Sequence, residues 1–287
     1  MTHTSPRPID FLIIGAAKCA TTWEQQSLSA SPGIFMPAPE LHFFSRVYDK
    51  GFDWFNAQFD SSQPGDILGE KSNSYLTQPE AAARIHAAYP DIKMIVQMRD
   101  PVHRAYSDYC MLLRRGEVDE DIRRHLDPQK AATERFLNDG RYGHHLKRFF
   151  ALFPKEQILL LAFEDVATHP DRQLQWVADH VGYTGQLTPP MREKVKDKHA
   201  NAVPAPLRRI LTPLRPLLDP IRNRPPISTL RNLVAKPFTY PALPDDLKQE
   251  IETFYQDDKC ELSILAPDFL PDWNRPEGAR ISGGNTS

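Results

Sequence analysis

Pro8 to Ser29, PIDFLIIGAAKCATTWEQQSLS, decides the fold. Asp10 to Ile14 is a short apolar run of the kind buried in the middle of a parallel sheet, and Gly15-Ala16-Ala17 ends it with little side-chain bulk, so the chain can turn sharply. Thr21 to Leu28 then carries helix-compatible residues, with Trp23 or Glu24 spaced to share a face with Leu28 and no proline before Pro32. A helix beginning near Cys19 to Thr22 aims its unpaired first N–H groups, and the positive end of its dipole, into the loop. Lys18 adds a full charge there, and Thr21 and Thr22 add hydroxyl donors. The stretch reads as a cradle for a phosphorylated ligand, or else as an ordinary strand-to-helix turn with an exposed lysine.

Spacing excludes some cradles. A Walker loop needs GxxxxGK before Ser or Thr, and here the lysine follows Gly15 by three residues with no Gly-Lys pair. A dinucleotide fingerprint needs GxGxxG, and the loop has a single glycine. A cysteine-dependent phosphatase loop needs an arginine soon after Cys19, and none comes before Arg46. Cys19 itself reads either as a thiol activated by a helix N-terminus and Lys18 or as a small residue packed in a tight loop.

Outward from the cradle, the apolar runs recur. Asp66 to Gly69 is a second buried strand with a charged, hydroxyl-rich tip, Glu70-Lys71-Ser72. Ile92 to Met98 is a third, followed by Arg99-Asp100-Pro101, where Asp100 suits an N-cap and Pro101 the first helical position. Ser107 lies seven residues after Asp100, close to two turns, which puts it on the side of Arg99. Ile158 to Phe163 is a fourth strand with Glu164-Asp165 at its tip, and Ile34 to Met36 a further short one. The spacing predicts helices over Ala81 to Tyr89, opened by a Thr77 to Glu80 capping box, over His145 to Phe153, over Pro170 to Val181 closed by Gly182, and over Leu243 to Leu265. Strands alternating with helices predict an α/β fold with a central parallel sheet flanked by helices.

Between strands, Glu40-Leu41-His42-Phe43-Phe44 sets a carboxylate and an imidazole among apolar bulk, as a buried general base or as a surface acid beside a core aromatic pair. Glu117 to Asp127 reads as an exposed charged excursion. Residues 189–244, rich in proline and basic near their start, read as a lid or acceptor-binding segment, and residues 277–287 as a frayed tail.

At 287 residues, one large domain is the expectation. A net charge of −2 offers no global basic field for nucleic acid or an anionic membrane. No apolar run approaches the ~20 residues that span a bilayer, and the first residues lack a signal-peptide pattern, so the expected setting is cytoplasmic. Three dispersed cysteines set neither a disulfide framework nor metal-ligand spacing. Oligomeric state is not legible.

FLIIGAAKCATTWE and IVQMRDPVHRAYSDY together resemble the 5′-phosphosulfate loop and the 3′-phosphate motif of the PAPS-dependent sulfotransferases. ELHFFS and GEKSNSYL are similar to the catalytic-glutamate and lysine segments of the heparan-type branch, in the form expected of a soluble bacterial-type member. Ala20 stands where the family's loop usually has glycine, and Pro39 where that branch often has lysine before the glutamate. The resemblance makes the α/β fold a three-layer, P-loop-NTPase-like one, and implies 3′-phosphoadenosine 5′-phosphosulfate (PAPS) as donor and 3′-phosphoadenosine 5′-phosphate (PAP) as product, with no metal. It implies that Lys18, Cys19, Ala20, Thr21 and Thr22 hold the phosphosulfate, that Arg99 and Ser107 hold the 3′-phosphate, and that Tyr142 reaches donor or acceptor. Lys18 and Lys71 would neutralise the leaving phosphate, and Glu40, or alternatively His42, would take the proton of a small-molecule, glycan or natural-product hydroxyl. The competing reading is an ATP-dependent P-loop-type kinase.

Overall fold

A computed structural model describes residues 4–131, 134–190, 239–269, 271 and 273. Five strands, β1 (Phe11–Gly15), β2 (Ile34–Phe35), β3 (Ile67–Lys71), β4 (Lys93–Met98) and β5 (Ile158–Ala162), form one sheet in the order β2-β3-β1-β4-β5. Every pairing is parallel. β1 is central because both its faces are apolar: Leu12 and Ile14 enter one core with Met94 and Val96, while Phe11 and Ile13 enter the opposite core with Ile95 and Leu161.

The first of those cores is covered by α2 (Phe43–Arg46), α3 (Gly51–Ala57), α4 (Ala81–Ala88) and α8 (Tyr142–Phe150), the second by α1 (Thr21–Ser29) and α10 (Pro170–Val181). Helices on both faces of a parallel sheet are the three-layer fold expected. A separate core gathers α5 (Pro101–Arg115), α6 (Ile122–His125), α7 (Arg135–Asn138) and α11 (Asp245–Phe254); α9 (Phe163–Thr168) follows β5, and α12 (Gln256–Leu265) packs on α8.

Connections leave β1 toward the β2 edge but leave β4 toward the β5 edge. The chain therefore diverges between these neighbours, and the tips of β1 and β4 flank a crevice at the carboxyl end of the sheet, where such folds bind ligands.

Several local expectations are corrected. Glu80, not Thr77, is the N-cap of α4 and makes no side-chain cap, since Thr77 Oγ1 turns back to the Ser74 carbonyl. The charged excursion is pinned by buried Ile122 and Leu126. The terminal helix breaks at Tyr255, whose ring is buried and whose hydroxyl donates to the Leu137 carbonyl at 2.7 Å. The helix predicted from His145 begins at Tyr142, because Asp258 of α12 accepts the Gly143 and His144 amides at 3.0 and 2.9 Å and so stands in for a local cap. Most of the proline-rich segment and all of the tail lie outside the described residues.

That α8–α12 contact depends on Gly143. A Cβ there would stand 2.6 Å from the Asp258 carbonyl oxygen and 2.8 Å from the Leu262 nitrogen, both backbone atoms. Gly143→Ala is expected to cost about 1–3 kcal/mol, read as a lowered Tm in thermal denaturation; an unchanged Tm would show that the two helices part without cost.

Candidate active site

The loop between β1 and α1 is shaped by backbone conformation. Lys18 and Ala20 both adopt the left-handed region, at φ 72° and 63°. Ala20 is the N-cap of α1 and offers no side-chain cap; Trp23 N–H donates to the Ala20 carbonyl at 2.8 Å, and the Thr21 and Thr22 N–H groups before it are left facing the loop. An open, nine-residue helix terminus next to a lysine suits an anion such as a phosphosulfate. Cys19 faces away: it is fully buried against the Tyr142 hydroxyl at 3.6 Å, and burial pushes its thiol up to about 11, which decides for the packed residue over the reactive one.

Lys18 and Arg99 are brought together. Arg99 Nη1 donates to the Lys18 carbonyl at 3.4 Å, and its guanidinium lies 4.4 Å from the Phe163 ring centre. The Lys18 ammonium reaches toward α5, 3.5 Å from Met111 Sδ. Burial lowers its pKa, opposed by Asp108 and reinforced by Arg115, Arg99 and Arg104. Ser107 lies half-buried on α5. Tyr142 is buried; its hydroxyl donates to the Arg99 carbonyl at 3.0 Å and lies 3.6 Å from Cys19 Sγ, so it braces the turn after β4 against the loop after β1.

On the other side of the loop, the β3 tip meets the Glu40 segment. Lys71, 3 % exposed, places Nζ 3.0 Å from Glu40 Oε1 and 3.3 Å from Thr22 Oγ1. Asn73, which sequence reasoning did not single out, donates its backbone N–H and Nδ2 to the two Glu40 oxygens at 3.0 and 3.1 Å, and accepts from the buried Thr21 hydroxyl at 2.9 Å. It thereby ties carboxylate to loop. The polar run SNS at a strand end was the available signal.

Phe43 and Phe44 pack into the aromatic core and do not enclose Glu40, which faces Lys71 and Asn73 and remains about a quarter exposed. The expectation of a carboxylate wrapped by those rings is thus replaced by one gripped by a lysine and an amide. His42 lies 3.8 Å from Glu40 and 2.7 Å from the Ser74 hydroxyl through Nδ1. Burial, then Arg46, lowers its pKa against the pull of Glu40.

Two further buried acids stand behind this pair. Glu70 accepts from the Leu41 amide and the Ser72 hydroxyl, and burial pushes it up to about 7. Glu24 on α1 is fully buried with neither oxygen hydrogen-bonded, and burial pushes it up to about 8 against the attraction of Lys71. At the β5 tip, Glu164 accepts the Asp100 amide at 3.1 Å through one oxygen, and Asp165 stands 3.6 Å from Arg172.

Residues 52–186 match the family model described as Sulfotransferase family. The chain is 33% identical over 193 residues, 66% of its length, to heparan sulfate glucosamine 3-O-sulfotransferase 6 of Homo sapiens, and 32% identical over 193 residues to 3-O-sulfotransferase 3B1 of Homo sapiens. It aligns with 54% of the first of these relatives and 47% of the second, about half their length. Among solved structures, a sulfotransferase from Alicyclobacillus acidocaldarius superposes with a TM-score of 0.67 at 24% identity, covering 94% of this chain and all of that one. That likeness carries the fold.

Proposed function

We propose that this chain, a member of the sulfotransferase family through residues 52–186, moves a sulfuryl group from PAPS to a hydroxyl, with Glu40 as general base. The observation that carries the reading is the 3.0 Å Lys71–Glu40 pair, set beside the open N-terminus of α1 by the Asn73 bridge. The residues fit the donor: an uncapped helix start and Lys18 for the phosphosulfate, and Arg99 with Ser107 for the 3′-phosphate that distinguishes it from ATP. When bound, PAPS supplies the sulfuryl group and departs as PAP.

The chain's own residues do the rest. Lys18 and Lys71 present positive charge where the leaving phosphate gains negative charge. Glu40 takes the proton of the attacking hydroxyl, a step that needs a carboxylate within hydrogen-bond reach of the acceptor. Asn73 with two donors and Lys71 with a third hold that carboxylate, which leaves Oε2 room for the acceptor's hydroxyl. The named relatives point to a sugar hydroxyl. The net charge of −2 gives no broad basic surface for a long polyanion, which favours a short glycan, natural product or other small acceptor.

Donor choice is the direct test. PAP at saturating concentration is expected to raise the Tm by several degrees and ATP by none, and labelled sulfate from PAPS is expected to appear on an acceptor from a panel containing a heparan oligosaccharide and 4-nitrophenol. Equal stabilisation by ATP would return the assignment to a kinase-like nucleotide site.

A further inference from the structure

The Glu40 segment is held by more than its own carboxylate. The next three backbone amides each donate to a side chain on or just beyond β3: Leu41 N to Glu70 Oε1 at 3.2 Å, His42 N to Ser72 Oγ at 2.7 Å, and Phe43 N to the Tyr75 hydroxyl at 3.0 Å. All three acceptors are fully buried. They are also linked, because the Ser72 hydroxyl donates to the same Glu70 oxygen that accepts from Leu41. Once Ser72 has accepted from His42, its single proton must go to an acceptor, and Glu70 is that acceptor. Glu70 and Ser72, two residues apart, share a side, while Lys71 between them points the other way, to Thr22 and Glu40.

Resting on the reading of Glu40 as the base, we propose that Glu70 is its positioning residue: through Leu41 and Ser72 it anchors the loop of the base to the strand that carries Lys71. The two reacting-side charges are then fixed on one short rigid segment, residues 70–75, and their separation does not depend on the loop's own stiffness. Preorganisation of this kind matters because a misplacement of about 1 Å can cost on the order of a hundredfold in rate.

The chemistry of the clamp selects the variants. Glu70→Gln keeps a side-chain oxygen for the Leu41 and Ser72 donors, whereas Glu70→Leu keeps the bulk and offers none. In labelled-sulfate transfer to the heparan oligosaccharide or 4-nitrophenol, Glu70→Leu is expected to lower kcat at least tenfold with the Kd for PAP within twofold of wild type. Glu70→Gln is expected to restore kcat to within about threefold. Hydrogen exchange of peptides spanning residues 40–45, read on the PAP complex, is expected to quicken in Glu70→Leu and not in Glu70→Gln. Should Glu70→Leu fail to fold, Ser72→Ala breaks the same chain at its middle link and is expected to show the same loss of kcat at constant PAP affinity. Unchanged exchange at 40–45, or quickened exchange with wild-type kcat, overturns the proposal. If wild type transfers sulfate and Glu40→Gln does not, that failure belongs to the clamp alone; if Glu40→Gln transfers like wild type, the base assignment fails instead, and the exchange data still decide whether Glu70 holds the loop.

Discussion

Glu40→Gln is expected to lower kcat for sulfuryl transfer by roughly 10²–10⁴-fold, the range a positioned general base contributes, while the Kd for PAP shifts by less than about threefold. The substitution keeps the length and shape of the side chain and removes its basicity. Its binding partners make the split between rate and affinity sharp. Asn73 and Lys71 grip the carboxylate from the β3 side. The groups proposed to hold the donor, the α1 N-terminus, Lys18 and Arg99, are unaltered in the variant, and Lys71 keeps its charge, so loss of the base falls on the acceptor's proton far more than on the nucleotide's phosphates.

His42 supplies the control. Its imidazole is tied to Ser74 by Nδ1 and lies 3.8 Å from Glu40, turned to a different partner. His42→Ala is expected to cost tenfold or less. A dead His42→Ala beside an active Glu40→Gln in the same transfer assay would move the base to the imidazole.

How far this site could be read from sequence differs by type of residue. Lys18, Lys71 and Arg99 stand at or just past ends of strands, and in a parallel sheet those ends converge, so a linear pattern translated directly into a place; Glu40, in a loop beyond β2, was singled out as the base by the family resemblance. The four longer strands were legible because each contains a short apolar run: FLII in β1, IL in β3, MIV in β4 and ILLLA in β5. What stayed hidden depends on pairing across distance. Asn73, Ser72 and Tyr75 matter through contacts 30 or more residues away with the Glu40 segment, and a polar run at a strand tip looks the same whether it faces water or a partner. Tyr142 was expected near donor or acceptor from the family resemblance; its ring is buried and its hydroxyl braces the Arg99 carbonyl, a contact across 43 residues that no local pattern shows. The start of α8 was misplaced because its cap comes from Asp258, more than a hundred residues on. The Thr77 capping box failed for the converse reason: the spacing was right, and the hydroxyl found a nearer carbonyl.

Glu24→Leu is expected to stabilise the protein, and to do so more at pH 8 than at pH 5. Helical spacing allowed either Trp23 or Glu24 to share the inward face with Leu28, and the fold turns Glu24 in, fully buried, with no hydrogen bond to either oxygen. Burial raises its pKa from the ordinary carboxylate range to about 8, with Lys71 pulling the other way. The folded state therefore holds a proton that the unfolded chain releases near pH 4.5, and each pH unit in between removes stability at up to about 1.4 kcal/mol. The loss begins as pH rises past the unfolded value, grows through neutrality and levels off above about 8, reaching on the order of 4 kcal/mol. Leucine at this position has nothing to ionise and stands about one helical turn from buried Leu28. At ~2–4 °C per kcal/mol for a chain of this size, the Tm gap between variant and wild type should widen by roughly 8–16 °C between pH 5 and pH 8 in thermal denaturation scans. A gap that stays constant or narrows over that interval would mean that the Glu24 carboxyl meets water or a donor when it ionises, and that α1 does not seal it behind the phosphate loop.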